Sequence, residues 1–120
     1  MKTILITGAT SGIGLAAAKK LANEKNQLIL CGRRQHKLDE ISEELSKSAN
    51  VLSLCFDVSN KNEVNKSLSN LPNEFSSIDI LINNAGNAHG LDTIQKGSLD
   101  DWDNMIDSNV KGLLYVSRVV

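Results

Sequence analysis

Gly8, Gly12 and Gly14, in the run Thr7-Gly8-Ala9-Thr10-Ser11-Gly12-Ile13-Gly14, are spaced to hold an anion. An apolar run, Thr3-Ile4-Leu5-Ile6, precedes them, and a helical pattern from Leu15 to Ala22 follows. A strand that ends in glycines and opens into a helix leaves backbone N–H groups unpaired at the turn. The positive end of the helix dipole faces the same place. Gly8 suits the tight turn, Gly12 lets the backbone approach a pyrophosphate, and Gly14 allows close helix–strand packing. The chemistry implied is dinucleotide binding.

Three further groups follow in the order such a site needs. The first is Gly32-Arg33-Arg34, at the end of the second apolar run. NAD sites place a carboxylate there for the ribose 2′-hydroxyl. Here Gly32 stands in the acid's place and two guanidiniums follow. Arginine grips phosphate through a planar fork, so the pattern points to NADP(H) over NAD(H). The plainer alternative is that Arg33 and Arg34 only precede a solvated helix. The second group is Asp57-Val58, after the third run. The carboxylate can accept from an adenine amino group, or it can cap a turn. The third is Asn83-Asn84-Ala85-Gly86. Its amides can pin the loop and the neighbouring strand, and small Ala85 and Gly86 leave room for a ribose. An ordinary Asn/Gly turn is the alternative.

The elements that position these residues alternate. Strands are predicted at Lys2–Thr7, Gln27–Gly32, Val51–Phe56 and Ile78–Asn83, and helices at Gly12–Asn23, His36–Lys47 and Lys61–Leu71. A long last helix runs from Leu99 to the end. Short continuous apolar strands suit a parallel sheet covered on both faces. Leu38, Ile41 and Leu45, then Val64, Leu68 and Leu71, recur at helical spacing. The alternation implies right-handed βαβ units. Ser59 and Asn60 are placed to cap the third helix, and Pro72-Asn73 to end it. Ser98 is a good N-cap, with Asp100 and Asp101 in the first turn. The irregular stretch Ala85–Gly97 follows the fourth strand's carboxyl end, where ligands sit in such sheets.

The chain has 120 residues, 41% of them apolar and 22% charged, which suits one modest globular domain. A net charge of -1 provides no basic field for nucleic acid or an acidic membrane. No apolar run approaches the roughly 20 residues that span a bilayer, and no signal peptide is expected. Cys31 and Cys55 are expected as two buried thiols, which fits a reducing cytoplasm. With His36 and His89 as the only imidazoles, and neither placed to complete a zinc site, no metal site is expected. His89 reads as a surface residue on a loop that borders the substrate side.

The glycine run, Asp57-Val58, Asn83-Asn84-Ala85-Gly86 and Asn109 in Asp107-Ser108-Asn109-Val110-Lys111-Gly112 together resemble a short-chain dehydrogenase/reductase. The resemblance runs across all 120 residues. It implies a Rossmann-type doubly wound parallel sheet, here strands 1 to 4 in the order 3-2-1-4 of a longer sheet. It implies that Gly8, Ser11, Gly12, Ile13 and Gly14 line the cofactor's pyrophosphate and nicotinamide side. Asp57 and Val58 would hold adenine, and Asn83, Ala85 and Gly86 would flank the adenosine ribose. Asn109 matches the family's catalytic asparagine, which bends its helix and holds a water in a proton relay. Gly32-Arg33-Arg34-Gln35, Asn73-Glu74-Phe75 and Asp101-Trp102 further resemble NADP-dependent dehydrogenases of serine, L-allo-threonine and other 3-hydroxy acids.

The family's Tyr-x-x-x-Lys pair and its serine have no match in these residues. Tyr115 is followed at the fourth place by Val119 and reads as helix packing. The expectation is therefore residues 1–120 as the cofactor-binding half of one dehydrogenase of roughly 250 residues. The alternative is a non-catalytic NADPH-binding module or sensor. A small hydroxyl or carbonyl compound is the expected substrate. A homodimer or homotetramer is expected through the last helix, with Leu113, Leu114, Val116, Val119 and Val120 bare until it pairs. Strand 4 is expected as an open apolar edge.

Overall fold

A computed structural model describes residues 1–86 and 97–120. Four parallel strands form one sheet, as the alternating pattern suggests, in the order β3-β2-β1-β4 that the family resemblance implies. The strands are β1 (Lys2–Thr7), β2 (Asn26–Gly32), β3 (Asn50–Cys55) and β4 (Ile80–Ile82). The helices are α1 (Gly12–Leu21), α2 (Gln35–Leu45), α3 (Lys61–Leu68), α4 (Leu99–Ile106) and α5 (Leu113–Val119). A 3₁₀ turn occupies Asn73–Phe75, and a π-helical stretch, Asp107–Gly112, joins α4 to α5.

β1 and β2 lie inside the sheet and their side chains are buried on both faces, which is why both read as unbroken apolar runs. Successive side chains alternate between two cores. Ile4, Ile6, Leu28 and Leu30 meet Ala18 of α1 and Leu38, Ile41 and Leu45 of α2. Leu5, Ile29 and Cys31 meet Val64 and Leu68 of α3, Phe75, and Val116 of α5. Each such side chain contributes about 1.5–3 kcal/mol by leaving water.

Helix caps follow the sequence in part. The Asn60 side chain accepts from the backbone N–H groups of Asn62 and Glu63 at 3.1 Å, and Ser98 accepts from that of Asp101 at 3.3 Å. Ser59 does not cap α3; it turns back to Asp57. α3 stops at Leu68, three residues short of the predicted end, although Leu71 still packs against the core before Pro72.

Two expectations are corrected. Cys55 is exposed, not buried, because it ends β3, an edge strand among the described strands. Val116 is fully buried and Val119 half-buried, because α5 lays that side against the sheet. Leu113, Leu114 and Val120 are exposed as expected, and β4 pairs with β1 alone among the described strands. His89 and most of the Ala85–Gly97 stretch lie outside the described residues.

Candidate functional site

In-register pairing sets the carboxyl ends of all four strands at one level. Thr7 lies opposite Cys31, Gly32 opposite Cys55, and Ile6 opposite Ile82. Two further backbone bonds extend the pairing beyond the strands, Ala9 N–H to Cys31 C=O at 3.1 Å and Phe56 N–H to Gly32 C=O at 2.9 Å. A cleft of about 330 Å³ opens at this end. It gathers Gly8, Ser11, Arg33, Arg34, Asp57, Val58, Ala85 and Gly86 from four separate chain segments.

The turn after β1 is left-handed at Gly8 (φ 63°) and again at Gly12 (φ 57°), conformations that side chains disfavour. A Cβ built on Gly12 meets nothing within 4 Å, so the backbone there is bare to approach. Ile13 beside it is 79% exposed. Gly14 does not line the cleft. It is buried behind the turn, where a Cβ would run into the Gly8 carbonyl oxygen. Ser11 is the N-cap of α1 but makes no side-chain capping bond, and the first turn carries no acid. Lys19 and Lys20 occupy the last turn. The charge along α1 thus leaves its amino end ready for an anion. These features fit the phosphate group of a dinucleotide.

Next to this turn, Arg33 and Arg34 are exposed, and Arg34 Nη2 donates to Thr10 Oγ1 at 3.2 Å. Asp57 Oδ1 accepts from the Ser59 backbone N–H at 2.9 Å and from its hydroxyl at 2.8 Å. Asp57 therefore caps a turn, and the same carboxylate lines the cleft. Cys31 forms part of the floor, and burial pushes its thiol well above the ordinary range.

The Asn83-Asn84 pair divides its work. Asn83 Nδ2 donates to Ser117 Oγ on α5 at 2.9 Å, directing that side chain away from the cleft. Asn84 Nδ2 donates to the Gly8 carbonyl at 3.3 Å. The N–H groups of Asn84 and Ala85 reach the buried Thr7 Oγ1 at 3.1 and 3.0 Å. The Asn84 amide thus pins the loop to the neighbouring strand's turn as expected, and the Thr7 hydroxyl, which nothing in the sequence singles out, is a second anchor.

The π-helical stretch brings Asn109 to the cleft's edge. A Cβ on Gly86 would stand 2.6 Å from Asn109 Oδ1, and one on Gly112 would stand 2.7 Å from Val58 Cγ2. Two glycines thus let the widened helix settle on the ends of β3 and β4. Short π stretches of this kind often mark functional sites. Ser108, buried at the cleft, was also missed.

The parallel sheet in the order 3-2-1-4, with a glycine turn and a cleft at its carboxyl ends, is a fold of the Rossmann type. Residues 2–120 match the family model described as short chain dehydrogenase, and the chain belongs to that family. It is 42% identical over 117 residues to the NADP-dependent 3-hydroxy acid dehydrogenase YdfG of Shigella flexneri, covering 98% of this chain and 46% of the relative. It is 44% identical over 117 residues to sulfoacetaldehyde reductase 2 of Chromohalobacter salexigens, with the same coverage of 98% and 46%. Among solved structures, the closed form of serine dehydrogenase complexed with NADP+ superimposes with a TM-score of 0.92 at 41% identity, covering 98% of this chain and 47% of that one. The chain spans about half the length of the curated relatives it matches.

Proposed function

We propose that residues 1–120 form the cofactor-binding half of an NADP(H)-dependent oxidoreductase acting on the hydroxyl or carbonyl group of a small molecule. The observation that carries this reading is the meeting in one cleft of a bare glycine turn at the amino end of α1 with Arg33 and Arg34 beside a side-chain-free Gly32. The turn suits a pyrophosphate and the arginines a ribose 2′-phosphate. Relatives named for 3-hydroxy acid and serine dehydrogenation support L-serine, L-allo-threonine or another 3-hydroxy acid as substrate.

NADP(H), when bound, supplies or accepts the hydride. The chain's own residues bind and orient it. The backbone at Ser11, Gly12 and Ile13 would receive the pyrophosphate, and Arg33 and Arg34 the 2′-phosphate. Asp57 and Val58 would meet the adenine, and Ala85, Gly86 and the backbone of Asn83 the adenosine ribose. Asn109 would hold a water in the proton relay that serves the substrate oxygen. The exposed apolar residues of α5 support pairing of two or four copies through this helix, and the reduced thiols support a cytoplasmic setting.

Equilibrium titration of the full-length protein with NADPH and NADH tests the cofactor assignment, and hydride transfer from L-serine and L-allo-threonine to NADP+ tests the reaction. Equal affinity for both nucleotides would overturn the first. Nucleotide binding without turnover on any hydroxy acid would favour a non-catalytic NADPH-binding module.

A further inference from the structure

We propose that Thr10 is a specificity-determining residue of the cleft: its methyl group keeps position 32 free of a side chain while its hydroxyl holds Arg34 at the same rim. The proposal rests on reading the cleft as an NADP(H) site. Thr10 is only 8% exposed, although it belongs to the glycine-rich turn. Its Oγ1 accepts from Arg34 Nη2 at 3.2 Å. A Cβ built on Gly32 would stand 2.8 Å from Thr10 Cγ2, closer than carbon atoms tolerate.

These two contacts are coupled through one bond. Oγ1 and Cγ2 branch from the same Cβ, so any rotation that withdraws the methyl from position 32 also swings the hydroxyl away from Arg34. Threonine is stiff at χ1 because of that branching. Retreat of the backbone is also opposed, since the adjoining Ala9 N–H is bonded to Cys31 C=O on β2 at 3.1 Å. A side chain at 32 and a seated Arg34 are therefore alternatives.

The chemistry of the two alternatives is opposed. A carboxylate at 32 would accept from a ribose diol and repel a 2′-phosphate, whereas Arg34 attracts the phosphate. One residue thus sets both sides of the choice. The reversal of cofactor preference has to begin at position 10, because an acid placed at 32 alone has no room.

The test uses full-length Thr10→Val, Thr10→Ser, Gly32→Asp and the double variant Thr10→Ser/Gly32→Asp, with dissociation constants for NADPH and NADH and nucleotide-free melting temperatures. Thr10→Val keeps the shape and loses the acceptor. It is expected to weaken NADPH about fivefold to tenfold and to leave NADH within about twofold. Gly32→Asp alone is expected to melt earlier and to gain no NADH affinity. Adding Thr10→Ser is expected to recover the melting temperature and to tighten NADH at least about tenfold relative to Gly32→Asp. Unaltered NADPH binding by Thr10→Val overturns the proposal, as does NADH binding by Gly32→Asp equal to that of the double variant. Gly32→Ala and Thr10→Ser/Gly32→Ala test the crowding without any nucleotide, and equal melting of the two overturns it. If the unaltered protein fails to prefer NADPH, the reading of the cleft falls first and this proposal with it. If that preference holds, only the variants decide.

Discussion

The side-chain amide of Asn84 donates to the carbonyl oxygen of Gly8 at 3.3 Å, tying the end of β4 to the glycine turn that follows β1. The same junction is held from the other side by Thr7. This residue is 1% exposed, and its hydroxyl accepts from the Asn84 and Ala85 N–H groups. Thr7→Val preserves the shape and removes the acceptor, leaving the Ala85 N–H without that partner in a half-buried place. An unsatisfied buried donor costs about 1–3 kcal/mol. We expect Thr7→Val to lose about 2 kcal/mol of unfolding free energy in a urea titration, and Thr7→Ser to lose much less. A Thr7→Val variant as stable as wild type would show that the hydroxyl does not hold this junction.

Cofactor choice can be probed apart from stability at Arg33, which is exposed at the cleft rim. Arg33→Asp exchanges an attraction for a repulsion at the proposed 2′-phosphate position. Charged hydrogen bonds contribute about 1.5–3 kcal/mol, so NADPH affinity is expected to fall by more than about tenfold. NADH affinity should change little. Parallel loss for both nucleotides would remove Arg33 from phosphate recognition.

Asn109 is expected to act on turnover rather than on nucleotide affinity, in the full-length enzyme. Asn109→Leu should lower kcat by about a hundredfold, the scale of a disturbed proton transfer, with the NADPH dissociation constant nearly unchanged. Gly86→Ala offers a second route to the same residue, because its Cβ would stand 2.6 Å from Asn109 Oδ1. It should reproduce the kcat loss with the asparagine still present. A large loss of NADPH affinity in Asn109→Leu would show that the residue supports the cleft's shape.

Parallel pairing and the cleft's location are legible because they rest on patterns of residue type, while the strand order comes with the family resemblance. Buried parallel strands must be apolar throughout, and glycines must mark the turn. Placement of individual polar side chains was less legible, because it depends on partners distant in sequence. Gln27, 7% exposed within β2, donates to Thr3 Oγ1 at 2.7 Å, and nothing in its neighbourhood of the sequence announces that bond. Thr7, Thr10 and Ser108 escaped notice for the same reason, since each looks like an ordinary small polar residue until the fold brings its partner. Asn83 and Asn84 are adjacent and identical in type, yet one bonds α5 and the other the glycine turn. The chain turns tightly after β4, with the Asn84 N–H reaching the Ile82 C=O at 3.1 Å, and this turn separates them where residue type alone does not.

The two cysteines, alike in sequence context, are expected to differ in reactivity and in their effect on stability. Cys55 is exposed, its Sγ donating to the Arg33 carbonyl at 3.4 Å, while Cys31 is buried between the sheet and its helices. One thiol per chain should react quickly with a disulfide reagent at pH 8, and the second only on unfolding. Burial raises the Cys31 thiol above its ordinary value of 9.0 in the native state alone. Above that pH the unfolded chain releases the proton and the native chain keeps it. The unfolded state then binds fewer protons, so stability falls as pH rises. Below the ordinary value the contribution is fully present. The stability difference between wild type and Cys31→Val should therefore be flat from pH 6 to about 8. Above pH 9 it should shift against wild type by about 1.4 kcal/mol per pH unit. A difference that stays flat to pH 10.5 would mean that Cys31 ionises as readily in the folded chain as in the unfolded one.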